Sequence, residues 1–286
     1  MSFAQIMDNL FHTVRSVNFW RSVKTEFLLT TFYVLFGCGA TITANTRCKA
    51  STDELKAAVT FGMTTVTLLH CSLRMGSPAQ MNPAITIAML CTRKIDIITA
   101  FFNVFAQCLG GIAGAGVLYG VTPARQHEYL GVTSVHSDIE SGQAFGIEFL
   151  ITFVLVFAYF SSMDPPHLAT GTFQVIPAGL AIAIGHTFGW KYTGASLNPA
   201  RSLGPAIICN EWRDHWVYWV GPILGALLGG ITFEYSHVNY TGSRLLRRSS
   251  STRDESGLEA RASSKESVDL PTELTFSVNM PDDPEV

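Results

Sequence analysis

Six long apolar windows, poor in charge, run near residues 22–42, 54–74, 96–119, 141–162, 174–190 and 216–236. About 20 mainly apolar helical residues cross a bilayer core of about 30 Å, so the pattern predicts six membrane spans. Two further apolar stretches, 81–91 and 198–208, are about half that length. Each opens on the same tripeptide, Asn82-Pro83-Ala84 and Asn198-Pro199-Ala200. Asparagine is a favoured N-cap and proline suits a first helical turn, so each tripeptide is a helix start. The second stretch also carries Arg201, and an arginine near a bilayer centre costs about 2.5–3.5 kcal/mol on insertion scales. Some interaction inside the protein has to offset that cost.

The pattern repeats beyond the tripeptide. Glu26 in "KTEFLLTTFYVLFG" and Glu148 in "GIEFLITFVLVFA" each lie inside the first span of a half, and each is followed by Phe-Leu. The third spans align "AQCLGGIAGA" with "GPILGALLGG", glycine on glycine. Each half therefore reads span, span, half-helix, span. Three spans is an odd number, so the second half enters from the opposite face, as in inverted-repeat transporters. The expected fold is an all-α membrane protein of six transmembrane helices plus two re-entrant half-helices in an inverted repeat. Its parts are an N-terminal segment at 1–20, a membrane domain at 21–240 with halves at about 21–120 and 141–240, and a disordered tail at 241–286. With both termini cytoplasmic, most Lys and Arg fall on the cytoplasmic side. Half-helices cannot face lipid with broken backbone, so they imply a protein-lined cavity. Their positive ends meet near its middle.

Composition narrows the function. The chain has 286 residues, 48% hydrophobic and only 14% charged, which sets it apart from soluble domains. Its net charge of −3 with no basic stripe excludes nucleic acid as a partner. The six cysteines form no CxxC pair or metal spacing. Cys38, Cys71, Cys91 and Cys108 sit in apolar stretches as small hydrophobes. No nucleophile set, metal set or phosphate loop stands out, so neither an enzyme nor a cofactor is expected. No short apolar core with a cleavage site precedes the first long run, which reads as a permanent span.

The two Asn-Pro-Ala boxes, with "AMLCTRKID", "AIGHTFGWKYTGASLNPARSLGPA" and "HWVYWVGPILGALLGG", resemble the aquaporin (major intrinsic protein) family over residues 18–240. The match is to the water-selective branch, in particular its brain-type vertebrate members. "FWRS" and "NPARSLGP" are also similar to insect big-brain-like members. The resemblance implies a passive water channel in the plasma membrane, assembled as a homotetramer with one pore per subunit, with water as the permeant. It implies a selectivity filter at Phe61, His186, Ala195 and Arg201. It also implies pore-facing amide donors at Asn82 and Asn198. Fixed arginine donors and half-helix dipoles are a known barrier to cations and protons in such pores. Glu26 and Glu148 are expected to hold the loops before the half-helices.

Several departures bear on this. "RMGSPAQMNPA" replaces the family's usual loop, with Gln80 where many relatives carry histidine. Phe61 lies one residue farther from Asn82 than expected, so either the loop holds an insertion or Gly62 occupies the filter position; the preserved Phe-Gly pair favours the insertion. Ala195 stands where mercurial-sensitive relatives have cysteine. The rival readings are an aquaglyceroporin-like facilitator, disfavoured by His186 and Ser202, and a big-brain-like cation channel or junctional signalling protein, disfavoured by Arg201. The glycines at 110, 111, 114, 225, 229 and 230 are expected at helix crossings, and Trp216, Tyr218 and Trp219 in an interfacial belt. In the tail, arginines just before Ser249, Ser250 and Ser251 make these candidate phosphorylation sites.

Overall fold

The computed structural model describes residues 13–42, 54–163 and 174–236, which contain helices and no strand. In chain order the helices are α1 Val17–Gly39, α2 Glu54–Arg74, α3 Pro83–Cys91, α4 Ile97–Val121, α5 Ser141–Met163, α6 Ile176–Thr193, α7 Pro199–Cys209 and α8 Val217–Ser236. Six are long and two, α3 and α7, are short. A 3-10 turn at Ala124–Tyr129 follows α4. The expected tail at 241–286, with Ser249, Ser250 and Ser251, lies outside the described residues.

Among the described residues, α4, α5 and α8 are long and apolar enough by composition alone to cross a membrane. The other three long helices carry more polar residues, some near their ends and some turned inward. Thr25, Glu26 and Thr30 of α1, Thr65 and Ser72 of α2 and His186 of α6 are all buried. Phe27, Leu28 and Phe36 of α1, Met63 of α2 and Ile184 and Phe188 of α6 are exposed. Apolar outside and polar inside is the arrangement of helices whose solvent is lipid. α1 also begins ahead of its apolar window, at Val17, with Arg21 in its second turn.

The helices cross on glycines, and they do so twice. On α4, Gly110 approaches the Phe27 carbonyl of α1, where an added Cβ would lie 2.5 Å away, and Gly114 meets the Thr31 carbonyl. On α8, Gly225 meets the Phe149 carbonyl of α5, and Gly229 meets Phe153, where a Cβ would lie 2.6 Å from the oxygen. The repeat seen in sequence is therefore a repeat of helix contacts. Between the halves, α2 and α6 cross at Gly62 and Gly179, each against the other's carbonyl. α4 and α7 cross at Gly111 and Gly204. Small residues let backbones approach where water-driven burial is unavailable.

Each half-helix starts as its tripeptide predicts. The Asn82 side chain accepts from the Ala84 N–H at 2.9 Å, and that of Asn198 from Ala200 at 3.0 Å. Proline occupies the first turn of both helices.

Candidate functional site

The residues just before the two asparagines, Met81 and Leu197, have φ of 53° and 54°. Such left-handed backbone is strained for long side chains and persists only where its surroundings hold it. Here the same device holds both. Glu26 accepts from Gln80 N at 2.7 Å and Met81 N at 2.8 Å. Glu148 accepts from Ser196 N at 2.8 Å and Leu197 N at 2.9 Å. Each carboxylate takes one further donor, Gln107 Nε2 at 2.8 Å for Glu26 and Thr193 Oγ1 at 2.7 Å for Glu148.

The strained residues then join the halves. Asn198 Nδ2 donates to the Met81 carbonyl at 2.7 Å, and Asn82 Nδ2 donates to the Leu197 carbonyl at 2.8 Å. Met81 and Leu197 thus give their N–H to a glutamate of their own half and their C=O to an asparagine of the other. A carboxamide carries two N–H donors, so each asparagine retains one after this exchange. Tyr33, Thr65, Gln80, Asn82, Tyr159 and Ile182 line a cavity of about 20 Å³ beside the first box. About one probe sphere of volume suffices for a water, given polar partners.

Phe61, His186 and Arg201 meet on one side of this junction. The Phe61 and His186 rings stack with centroids 4.2 Å apart and planes 22° from parallel. The Arg201 guanidinium lies 5.0 Å from the Phe61 ring centre. All three are buried. Arg201 Nη1 donates to the Gly131 carbonyl and lies 3.4 Å from Cys38 Sγ. A buried guanidinium over an aromatic face and against a carbonyl is partly compensated for its lost hydration. His186 Nδ1 is bonded to the Ile182 carbonyl at 2.9 Å, while His186 Nε2 and Arg201 Nε have no hydrogen-bond partner among the described residues.

Ala195 is buried, with φ of 49°, in the loop just past the end of α6 and beside Gly189. A Cβ added at Gly189 would lie 3.4 Å from the Ala195 methyl. Gly62 packs into the α2–α6 crossing, so Phe61 is the residue that faces His186. Tyr218 differs from the interfacial expectation: it is buried, and its hydroxyl donates to the Thr193 carbonyl at 3.0 Å. Trp216 is exposed.

Nothing in the sequence marks Gly131, whose carbonyl receives Arg201 from a loop 70 residues away. Asn103 and Gln107 were equally silent. They lie one turn apart on α4; Asn103 Nδ2 donates to Gln80 Oε1 at 2.9 Å, and Gln107 also donates to Thr86 Oγ1 at 2.8 Å. A polar i, i+4 pair in a glycine-rich apolar span is the one signal that could have found them. In the second half, Ser202 Oγ donates to Ser196 Oγ at 2.6 Å and accepts from Thr133 at 2.8 Å.

Residues 13–233 match the family model described as major intrinsic protein. The chain is similar to aquaporin-4 of Mus musculus, 45% identical over 218 residues that cover 76% of this chain and 67% of that protein. It is 39% identical to the lens fiber major intrinsic protein of Gallus gallus, over 77% of this chain and 83% of that one. In fold it is similar to the X-ray structure of the aquaglyceroporin from Plasmodium falciparum, with a TM-score of 0.65 at 23% identity, covering 76% of this chain and 95% of that one. The chain belongs to the major intrinsic protein family, the aquaporin family of integral membrane channels.

Proposed function

We propose that this channel conducts water passively, driven by osmotic gradients, and excludes protons, ions and glycerol. The observation that carries the reading is the reciprocal junction of Met81, Asn82, Leu197 and Asn198, whose retained amide donors belong to helix starts of positive potential. A water that accepts from both asparagines cannot also accept from its neighbours, so a proton wire breaks there. Phe61, His186, Ala195 and Arg201 form the filter. The rings of Phe61 and His186 set the bore, Arg201 repels cations, and the unpartnered nitrogens of His186 and Arg201 offer hydrogen bonds to the permeant. The small Ala195 keeps the filter backbone close to α6. With the rings stacked at 4.2 Å, water passes beside them along Arg201 or separates them.

The family likeness supports a homotetramer with one pore per subunit in the plasma membrane, and charge asymmetry supports an orientation with both termini cytoplasmic. Phosphorylation at Ser249, Ser250 or Ser251 adjusts surface abundance. Oocytes expressing the chain should swell fast in hypotonic medium without new membrane conductance or glycerol uptake. Conductance that rises with expression would replace this reading with a cation channel, and glycerol uptake with a solute facilitator.

A further inference from the structure

The start of α1 and the end of α2 border an open groove of about 540 Å³ that shares no lining residue with the pore junction. Arg15, Arg21 and Lys24 line it beside Val17, Trp20, Leu28 and Met75. All three cations are exposed, and among the described residues none forms an ion pair. The apolar part is open as well: Val17 is 73% exposed and Trp20, Leu28 and Met75 about two-fifths. Thr25 also lines the groove, with a buried hydroxyl that has no hydrogen-bond partner among the described residues.

The walls are built, not incidental. Trp20 Nε1 donates to the Val14 carbonyl at 2.8 Å, which fixes the chain carrying Arg15 against the helix. The Trp20 ring packs edge-on against Phe19 and Phe102, with centroids 5.3 and 5.9 Å away. Ser16, at the N-cap of α1, makes no side-chain capping bond.

Three exposed cations with no ion-pair partner among the described residues select an anion, and the apolar surface beside them selects hydrocarbon attached to it. A soluble anion meets only the first demand. We propose that this groove is a binding site for an acidic phospholipid, with the headgroup phosphate between Arg15, Arg21 and Lys24 and an acyl chain along Val17, Trp20, Leu28 and Met75. On the orientation given above the groove opens to the cytoplasmic leaflet, where acidic lipids concentrate. The proposal needs α1 to be embedded in a bilayer and is independent of what the pore conducts.

The test is native mass spectrometry of the full-length channel in mild detergent, titrated with short-chain phosphatidylserine. Phosphatidylcholine of equal chain length is the neutral control, and glycerol phosphate is the headgroup alone. Phosphatidylserine should bind well above both. Each cation near an acidic lipid strengthens binding about fivefold, so the combined Arg15→Gln, Arg21→Gln, Lys24→Gln variant should lose on the order of a hundredfold. The single Arg21→Gln variant should lose about fivefold, and both should keep the wild-type melting temperature without lipid. Unchanged phosphatidylserine affinity in the combined variant overturns the proposal, as does glycerol phosphate binding as tightly as the lipid. A carbodiimide crosslink from Lys24 to Asp254 or Glu255 in the lipid-free channel would assign the groove to the chain's own tail and also overturn it.

Discussion

Replacing Glu148 separates a scaffold carboxylate from one that merely happens to be buried. Its Oε1 accepts from Thr193 Oγ1 and Ser196 N, and its Oε2 from Leu197 N. Glu148→Gln keeps one oxygen for the first two donors and turns an amide NH₂ toward the third. One charge-assisted bond is lost, a cost of about 1.5–3 kcal/mol. Glu148→Ala strands all three donors in a fully buried site at about 1–3 kcal/mol each, which approaches the total stability of a typical domain. At about 2–4 °C per kcal/mol, the glutamine variant should melt roughly 3–12 °C below wild type in detergent. The alanine variant should fail to yield folded channel. Because Leu197 is strained and its carbonyl holds Asn82, the glutamine variant should also lose water flux out of proportion to its yield. Tryptophan-fluorescence melting with stopped-flow flux per folded channel reads both effects. An alanine variant with wild-type melting and flux would refute the scaffold argument.

Further outcomes follow from the same geometry. Arg201→Val should retain water flux and admit protons or larger solutes, read by a pH-sensitive dye in proteoliposomes; unchanged selectivity would remove Arg201 from the filter. Mercurials should not block the wild-type channel through residue 195, and Ala195→Cys should confer a block reversed by added thiol; a fast wild-type block abolished by changing Ala195 would contradict this. Asp96 caps α4 through Ile98 and Thr99, so Asp96→Ala should cost about 1 kcal/mol. Partial burial opposes ionisation of Asp96, but hydrogen bonds from Thr99 and Ile98 prevail and hold its carboxyl below the usual range. The cap's charge-dependent contribution is therefore fully present at neutral pH and fades as pH falls through the acid range, so the wild-type to mutant melting gap should narrow there. Alanine at Ser249, Ser250 and Ser251 should abolish any change in surface abundance on kinase activation, measured by surface biotinylation.

The helices were legible where one physical demand sets the pattern. Bilayer thickness fixes the length of α4, α5 and α8, and a proline after a capping asparagine starts α3 and α7 at the residues it must. Glu26 and Glu148 stood out because a carboxylate in an apolar span needs donors, and the nearest orphan amides belong to the loops beside the tripeptides. The start of α1 was harder to see, since the helix extends back through Arg21 to Val17, beyond the apolar window. Contacts between distant loops left no local trace. Gly131 supplies only a backbone carbonyl to Arg201, which any residue type could offer, although its φ of 74° favours glycine. Tyr218 misled because an aromatic residue between two tryptophans at a span start has the composition of an interfacial belt, while its hydroxyl is used inside. That Phe61 rather than Gly62 stacks on His186 depends on helix rotation, which the α2–α6 glycine crossing sets.

The central claim, that one junction passes water while interrupting protons, is tested most directly by stopped-flow shrinkage of proteoliposomes in a sucrose gradient with proton leak measured on the same vesicles. Wild-type channel should accelerate shrinkage several-fold over empty vesicles with proton leak unchanged. Shrinkage no faster than empty vesicles from a preparation shown to be folded, or a proton leak that rises with channel density, would contradict the account.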